Sequence, residues 1–458
     1  MKSDGTLLPL VDRIRTGALV AGAVGAVLGI VGFATDRFHF DRAYLFSYVF
    51  ILGITLGSLA LLMLHRQLGG AWGFLVRRPL ESAAMTLPLM AVLFIPILVD
   101  LDRIYPWVNH RPGAEVEHGG NPRAEGTLNP ADEPLAKGSP VRVTHDTNQA
   151  AGPGSSGVLR DPLELHTLDL FAFKRFWLNP TSFTVRVAIY FFLWIVLAAI
   201  LVIGSRRQDE TGSYRLAYGL QALSAPGLVL YFISVSLALI DWGMSLEPDW
   251  YSSLYGVLLI IGQGVSAIAF ITGVAAVISR RGETGTLDTP DTFNDLGNLM
   301  LCFTMLWAYL SFSQFLIIWA GNLAEEIPWY SRRLKGGWQH IGQFLMAFHF
   351  FVPFLILLCR PVKRNVRWLW KVAALMLVAH LVDVYWLIAP SFSPPTAEGE
   401  PTSIHLPLSG VNWLDFVMPI GLGGIWLSTF LWILKGKPLL VTSDPELLPA
   451  LKQAAGGH

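Results

Sequence analysis

Long apolar stretches recur along the chain and are separated by polar connections. Ten of them reach the roughly 20 residues that a helix needs to cross a hydrocarbon core about 30 Å thick. The predicted spanning helices cover residues 16–35, 43–64, 80–100, 181–204, 223–243, 253–279, 296–320, 340–359, 367–390 and 412–434. This pattern predicts an all-α integral membrane protein of about ten transmembrane helices.

The polar intervals between these stretches divide the chain. The predicted division is a tail (1–15), helices 1–3 (16–104), an excursion (105–180), helices 4–9 (181–390), a loop (391–411), helix 10 (412–434) and a second tail (435–458). The centre of the excursion, about 111–157, is rich in Gly, Pro and acids and lacks the apolar residues that a core requires. We therefore expect the excursion to be partly disordered.

Composition agrees with a lipid environment, because the chain is 53% hydrophobic and only 14% charged, with a mean hydropathy of +0.49. Lys plus Arg and Asp plus Glu both total 33, so bulk charge indicates no nucleic-acid partner. Cys302 and Cys359 both lie in apolar stretches, and the chain contains no CxxCH motif. The cysteines thus indicate neither a disulfide framework nor a metal site, and no redox centre is visible.

Lys and Arg are unevenly distributed between the two sets of connections, and this bias predicts orientation. The tails and the loops on the same side as the N-terminus are rich in Arg and Lys, whereas the opposite short loops hold chiefly Arg37, Arg42, Arg332, Arg333 and Lys335. We expect a multi-pass protein of a bacterial inner membrane with both termini cytoplasmic. The excursion and the loop 391–411 would then face the periplasm.

Ionisable residues inside the apolar stretches are the strongest functional signal, because each costs about 2.5–3.5 kcal/mol to insert. His380 and Asp383 are three residues apart, so they share a face of predicted helix 9 and are able to exchange a proton. His349 lies in the middle of helix 8, and Asp241 lies near the outer end of helix 5. The alternative for His380 and Asp383 is a buried structural pair between helices. For His349 it is a neutral histidine that donates to a backbone carbonyl, and for Asp241 a carboxylate at an interfacial helix end.

Further polar residues extend this pattern. Helices 6 and 7 contain small or amide side chains that suggest a polar seam, or else simple packing positions: Gln263, Ser266, Ser311, Ser313 and Gln314. Beyond helix 7, Glu325 and Glu326 are expected at the outer end of this seam. With Asp241, Glu247 and Asp249 they would form an acidic mouth that accepts protons or binds a basic partner.

Four ordered, aromatic-rich runs resemble a known family. They are DWGMSLEPDWYSSLYG (241–256), LWAYLSFSQFLIIWAGNLAEEIPWY (306–330), FHFFVPFLILLCRPVKR (348–364) and VDVYWLIAP (382–390). They look like the second large quinone-binding-type membrane subunit of alternative complex III, a bacterial quinol:cytochrome c oxidoreductase. That subunit belongs to the NrfD/polysulfide-reductase membrane-subunit superfamily. The stretch from Arg111 to Gly157 is longer than the family pattern.

The resemblance implies two four-helix bundles, helices 2–5 and 6–9, flanked by helices 1 and 10. It implies a complex whose haem c and iron–sulfur clusters lie on partner subunits and whose quinone is menaquinone or ubiquinone. The implied partners are a multihaem cytochrome c subunit, an iron–sulfur subunit, a homologous membrane subunit, small membrane subunits and a terminal oxidase. Asp241, His349, Asp383 and Glu325 or Glu326 match the positions of candidate polar-path residues.

Two roles follow for a subunit of this kind. A proton path would use His349, His380, Asp383, Asp241, Glu325 and Glu326, and a quinone slot would use the aromatic side chains of Trp319, Tyr385 and Trp386. The chain would be a subunit of an oxidoreductase with no redox centre of its own. A membrane anchor without a site is the first alternative, and a stand-alone secondary transporter is the second.

Overall fold

The computed structural model describes residues 7–109, 176–280, 289–392 and 410–435, together with Lys174 and Leu447. It is 88% helical, and no strand occurs among the described residues. All the spanning helices belong to one compact unit, Met1–Val108 with Arg175–His458. The other unit, Asn109–Lys174, holds the predicted excursion, and residues 111–157 together with most of the loop 391–411 lie outside the described part.

Among the described residues, ten helices are long and apolar enough to cross a membrane. They are α1 (Pro9–Thr35), α2 (Arg37–Leu68), α3 (Ala71–Val99), α4 (Pro180–Thr211), α5 (Tyr214–Leu246), α6 (Tyr255–Ser279), α7 (Pro290–Gly321), α8 (Trp338–Leu358), α9 (Val366–Phe392) and α10 (Leu414–Lys435). The prediction of an all-α membrane protein with ten spanning helices is confirmed.

Several helices begin well before their apolar stretches. α2 begins at Arg37 rather than at residue 43, and α3 begins at Ala71 rather than at residue 80. A helix needs only its own backbone hydrogen bonds to continue, so polar residues outside the hydrocarbon extend it, and Asp36 caps α2 by accepting from the backbone N–H of His39. Arginines predicted in connections therefore lie within helices: Arg37, Arg42, Arg77 and Arg78.

Two rings of four helices form the centre of the molecule. In the first ring α2, α3, α4 and α5 pack in succession and α5 closes back on α2, and α6–α9 repeat this arrangement in the second. α2 joins the rings, because it also packs against α6 and α9. In the most apolar part of α2, 94% of the residues are buried. α1 and α10 pack along each other and both contact α2, as the predicted architecture requires.

Glycines permit the close contact between α1 and α10. A Cβ atom built on Gly25 would lie 2.3 Å from the Cα atom of Gly421, and one built on Gly424 would lie 2.6 Å from the carbonyl oxygen of Ala18. Between membrane helices, where lipid is as apolar as leucine, such small residues allow the backbone contacts that stabilise association. The α1–α10 pair depends on them.

Replacing Gly25 with Val should therefore separate α1 from α10 and lower the free energy of unfolding by about 1–3 kcal/mol, as overpacking does in closely packed interiors. Gly17 is the matched control, because it lies on the same helix and a Cβ atom there would meet nothing within 4 Å. The measurement is the thermal unfolding midpoint of the two purified variants in detergent. Equal midpoints for Gly25→Val and Gly17→Val would contradict the packing described here.

Candidate functional site

Three ionisable side chains converge between α8 and α9. His349 lies on α8, while His380 and Asp383 lie one helical turn apart on α9. Their exposed fractions are 1%, 2% and 3%, and their ligand-type atoms all lie within 4.8 Å of one another. Trp307 of α7 completes the group, which we call the His–Asp cluster (Trp307, His349, His380 and Asp383).

The geometry of the cluster is close and partly hydrogen-bonded. The indole Nε1 of Trp307 donates to Oδ2 of Asp383 at 3.0 Å, and the Trp307 and His349 ring centroids are 4.1 Å apart. The two imidazole rings are 5.6 Å apart, and Nδ1 of His380 lies 3.4 Å from Oδ2 of Asp383. Trp307 therefore orients the carboxylate, which faces both histidines.

The histidines lack the partners that buried polar groups normally have. Neither ring nitrogen of His349 has a hydrogen-bond partner among the described residues, and Nδ1 of His380 is not aligned for a hydrogen bond with Asp383 despite their proximity. An unpaired buried polar atom typically costs about 1–3 kcal/mol. Three such atoms at one place indicate a site rather than a packing device.

Local backbone features place both imidazoles. Met346–Phe351 forms a π-helical turn around His349, and Pro353 explains it: proline has no N–H to donate to the His349 carbonyl four residues earlier. Opposite His380, a Cβ atom built on Gly262 of α6 would lie 2.4 Å from Cε1 of the imidazole. Only glycine at position 262 leaves room for His380 as it stands.

The cluster also brings together residues of two predicted helices. The sequence placed His349 in the middle of helix 8, and His380 with Asp383 on one face of helix 9. The structure places all three side by side, because the π-helical turn of α8 brings His349 against α9. The three residues form one site.

A tyrosine connects this site electrostatically with the outer side, meaning the side where α5 ends and α6 begins. Tyr255 is buried at the first turn of α6, and the charges of Arg333, Glu247 and Asp383 all act on its hydroxyl. Its Oη atom lies close to Gly243, where a Cβ atom would approach within 2.6 Å. The Tyr255 hydroxyl is thus within electrostatic range of both Asp383 of the His–Asp cluster and the ion pair of Glu247.

Glu247 is held by arginines. Arg333 donates to Oε1 of Glu247 at 3.2 Å, Arg332 donates to Oε2 at 2.9 Å, and the Ser391 hydroxyl donates to Oε1 at 2.7 Å. Arg333 is fully buried and also donates to the Leu387 carbonyl. Burial lowers the pKa of Arg333, and the charge and hydrogen bond of Glu247 oppose that effect.

Asp241 is likewise fully paired. The Arg186 guanidinium donates to both carboxylate oxygens, at 2.8 and 3.0 Å, while Tyr190 and Trp177 donate at 3.0 and 2.6 Å. Asp241 is 0% exposed. A carboxylate with four donors inside the protein joins α4 to α5, and the structure does not bring it into the His–Asp cluster.

These pairs correct the predicted acidic mouth. Asp241 and Glu247 are neutralised by arginines that sequence spacing did not connect to them, so neither is an open acid. Asp249 and Glu325 are exposed and Glu326 is half-buried. The five acids do not form one acidic surface.

The predicted quinone slot does not assemble. Trp319, near the end of α7, is 69% exposed. The Tyr385 ring packs on Phe46 and Trp338, and Trp386 packs on Trp329. Tyr385 and Trp386 therefore pack on different aromatic neighbours, and Trp319 is exposed, so the three side chains do not form one aromatic lining.

The predicted polar seam is only partly continuous. Gln263 of α6 accepts a 2.7 Å hydrogen bond from Tyr231 of α5, whereas Gln314 of α7 is buried with no partner among the described residues. Ser266 donates to the Gln263 carbonyl, and Ser311 and Ser313 are half-buried. In the part of the chain that the structure describes, Tyr231–Gln263 is an inter-helix bond of the seam, and no chain of bonds leads from the seam to the cluster.

Sequence reasoning missed the partners rather than the acids. Trp307 and Tyr255 stand inside the aromatic runs, where nothing marks one aromatic residue as a hydrogen-bonding or electrostatic partner. Arg186 lies near the start of the predicted helix 181–204 and gives no signal of its partner. Glu81 is also buried, and Arg78 donates to it at 2.8 Å. Both belong to a hydrogen-bond network that joins α3 to α4 and that also contains Arg77, Ser205, Gln208 and Asp209.

Comparison with protein-family models found no match, and comparison with curated proteins found none either. A buried carboxylate beside two imidazoles with free nitrogens can hold and exchange a proton or hold a cation.

Removing one partner of the Arg186–Asp241 pair should destabilise the protein strongly. Arg186→Ala leaves a fully buried carboxylate without its counter-charge, and we expect a loss of about 3–5 kcal/mol. Arg206→Ala on the same helix is the control, because Arg206 is exposed. Thermal unfolding in detergent measures both variants, and a loss under about 1 kcal/mol for Arg186→Ala would show that the pair is not structural.

Proposed function

We propose that the chain is a proton-conducting membrane subunit of a respiratory quinol oxidoreductase complex. The observation that carries the proposal is the His–Asp cluster, where one carboxylate and two imidazoles meet inside the membrane with three unpartnered nitrogen atoms. Ionisable residues at such depth mark proton relays and ion paths more often than they mark packing contacts. Proton transfer requires neighbouring groups that can both give and accept, which this cluster supplies.

The proposed route leads from the cluster to the outer side. The charges of both Asp383 and the Glu247–Arg333 pair act on the buried Tyr255 hydroxyl, and Arg332, which also binds Glu247, is part-exposed. A proton released from the cluster would pass the Tyr255 hydroxyl and reach the surface near Glu247. Asp241 is assigned no step, because four donors hold its carboxylate.

Membership in a respiratory complex is the finer part of the proposal. Its support is the resemblance of the four aromatic-rich runs to a subunit of alternative complex III, and three of these runs contain cluster residues: Trp307, His349 and Asp383. The electrons would then travel through haem c and iron–sulfur clusters of partner subunits to cytochrome c or a terminal oxidase. The aromatic residues predicted for a quinone slot do not fit that role, so no quinone step is assigned to this chain.

The proposed location is the inner membrane of a bacterium, with both termini in the cytoplasm. The Lys and Arg bias of the connections supports this orientation. The route past Tyr255 would then open to the periplasm.

A membrane anchor without its own site is the second candidate. The Arg186–Asp241 and Arg333–Glu247 pairs favour it, because in both an arginine neutralises a buried acid, as a structural contact between helices requires. The two candidates differ only at the His–Asp cluster.

The proton path is tested by Asp383→Asn and His349→Phe in the assembled complex. Asn still accepts from Trp307 but holds no proton, and Phe keeps the ring packing of His349. We expect quinol:acceptor turnover with its coupled proton release to fall about tenfold or more. His340→Phe is the control, because His340 lies exposed on the same helix. Unchanged turnover in both cluster variants, with the complex intact, would favour the anchor.

The membership proposal is tested separately by purification from native membranes. A tag on this chain should recover a multihaem cytochrome c and an iron–sulfur protein, detected by haem staining and by iron content. Recovery of the chain alone, under conditions that preserve other respiratory complexes, would contradict membership and would favour the alternative of a stand-alone transporter.

A further inference from the structure

We propose that His349, His380 and Asp383 form a binding site for a divalent transition metal, with Zn²⁺ as the ion that suits it best. The donor set is two imidazole nitrogens and one carboxylate oxygen, from side chains that are at least 97% buried. Two histidines and one carboxylate with an open fourth position are a recurring Zn²⁺ donor set in proteins. The inference does not rest on the proposed proton path.

The distances within the site suit such an ion. Zn²⁺ binds nitrogen and oxygen at about 2.0–2.2 Å in a tetrahedron, which places neighbouring ligand atoms about 3.4 Å apart. Nδ1 of His380 and Oδ2 of Asp383 are 3.4 Å apart and are not aligned as a hydrogen bond. All three donors lie within 4.8 Å, so His349 needs only a small shift to complete the set.

The unpartnered nitrogens point to the same conclusion. Both ring nitrogens of His349 and Nδ1 of His380 are buried without a hydrogen bond in the described part of the chain. A bound cation would provide a partner for one nitrogen of each ring and would remove most of the cost of burying them. No packing role explains why a histidine with two idle nitrogens, rather than a phenylalanine, occupies position 349.

The surroundings hold the ligands in place. Trp307 donates to the Asp383 carboxylate, which is the kind of outer contact that orients metal ligands. Gly262 leaves the space that His380 occupies, and the π-helical turn turns His349 toward α9. Each ligand is therefore fixed by a feature of a different helix.

A bound ion would compete with protons at this cluster. If the proposed path is correct, Zn²⁺ at the site is expected to block it, because the ion occupies the nitrogens that the path uses. Metal content is measured without turnover, however, so failure of either proposal is visible independently of the other.

The test uses the full chain purified in detergent, stripped with a chelator and then incubated with Zn²⁺ or with Co²⁺ as a spectroscopic probe. Elemental analysis after desalting should give about one Zn²⁺ per chain, and Co²⁺ should show the visible absorption of a four-coordinate site. His349→Phe and Asp383→Asn should each weaken binding at least about 100-fold, while exposed His340→Phe should bind like the wild type.

A second pair of variants distinguishes loss of the metal site from misfolding caused by replacing a ligand. Gly262→Ala adds one methyl group beside His380 and leaves all three ligands in the chain, whereas Gly273→Ala on the same helix meets nothing within 4 Å. We expect metal binding to weaken only in Gly262→Ala, with both variants monodisperse on gel filtration. The proposal is overturned if the wild type binds no metal, or if His349→Phe and Gly262→Ala bind it as well as their controls.

Discussion

Charge placed in a medium of low dielectric constant must be neutralised where it stands, and this constraint shapes the whole helical assembly. The ends of the helices are joined by arginine–carboxylate pairs: Arg186 with Asp241 between α4 and α5, Arg42 with Asp415 between α2 and α10, and Arg78 with Glu81 and Asp209 between α3 and α4. Helix packing by itself is only weakly directional in lipid, where apolar side chains gain little by touching each other rather than lipid. The pairs supply direction, because breaking one leaves an uncompensated buried charge.

Against that background the His–Asp cluster is the exception. Asp241 and Glu247 show how the protein treats an acid that serves only structure, since each carboxylate is surrounded by donors. Asp383 has one donor from Trp307, and the histidines beside it have idle nitrogens. Among the described residues, single unpartnered atoms also occur in the structural pairs, for example Oδ1 of Asp415 and Oδ1 of Asp209. What distinguishes the cluster is that three unpartnered nitrogens lie on two neighbouring rings beside a carboxylate.

The two proposals for the cluster share this origin. A proton relay and a metal site both need lone pairs that the protein itself does not use, held by rigid neighbours at short distances. Gly262 and the π-helical turn at Met346–Phe351 help to provide that rigidity, at a local cost in helix stability. π-Helical turns are frequent at functional sites. Tyr255, whose buried hydroxyl is acted on by the charges of both Asp383 and Glu247, gives the proposed route its direction.

The amino-acid sequence by itself determined the ten spanning helices, because the length of an apolar stretch needed to cross a bilayer is set by the bilayer, not by neighbouring helices. It also singled out His349, His380, Asp383 and Asp241, since an ionisable residue among apolar ones is visible without a structure. Only the tertiary structure decided which of them is a site. Arg186 and Trp307 lie 55 and 76 positions from the carboxylates they bind, and such distant partners are chosen by helix packing, which no local pattern encodes.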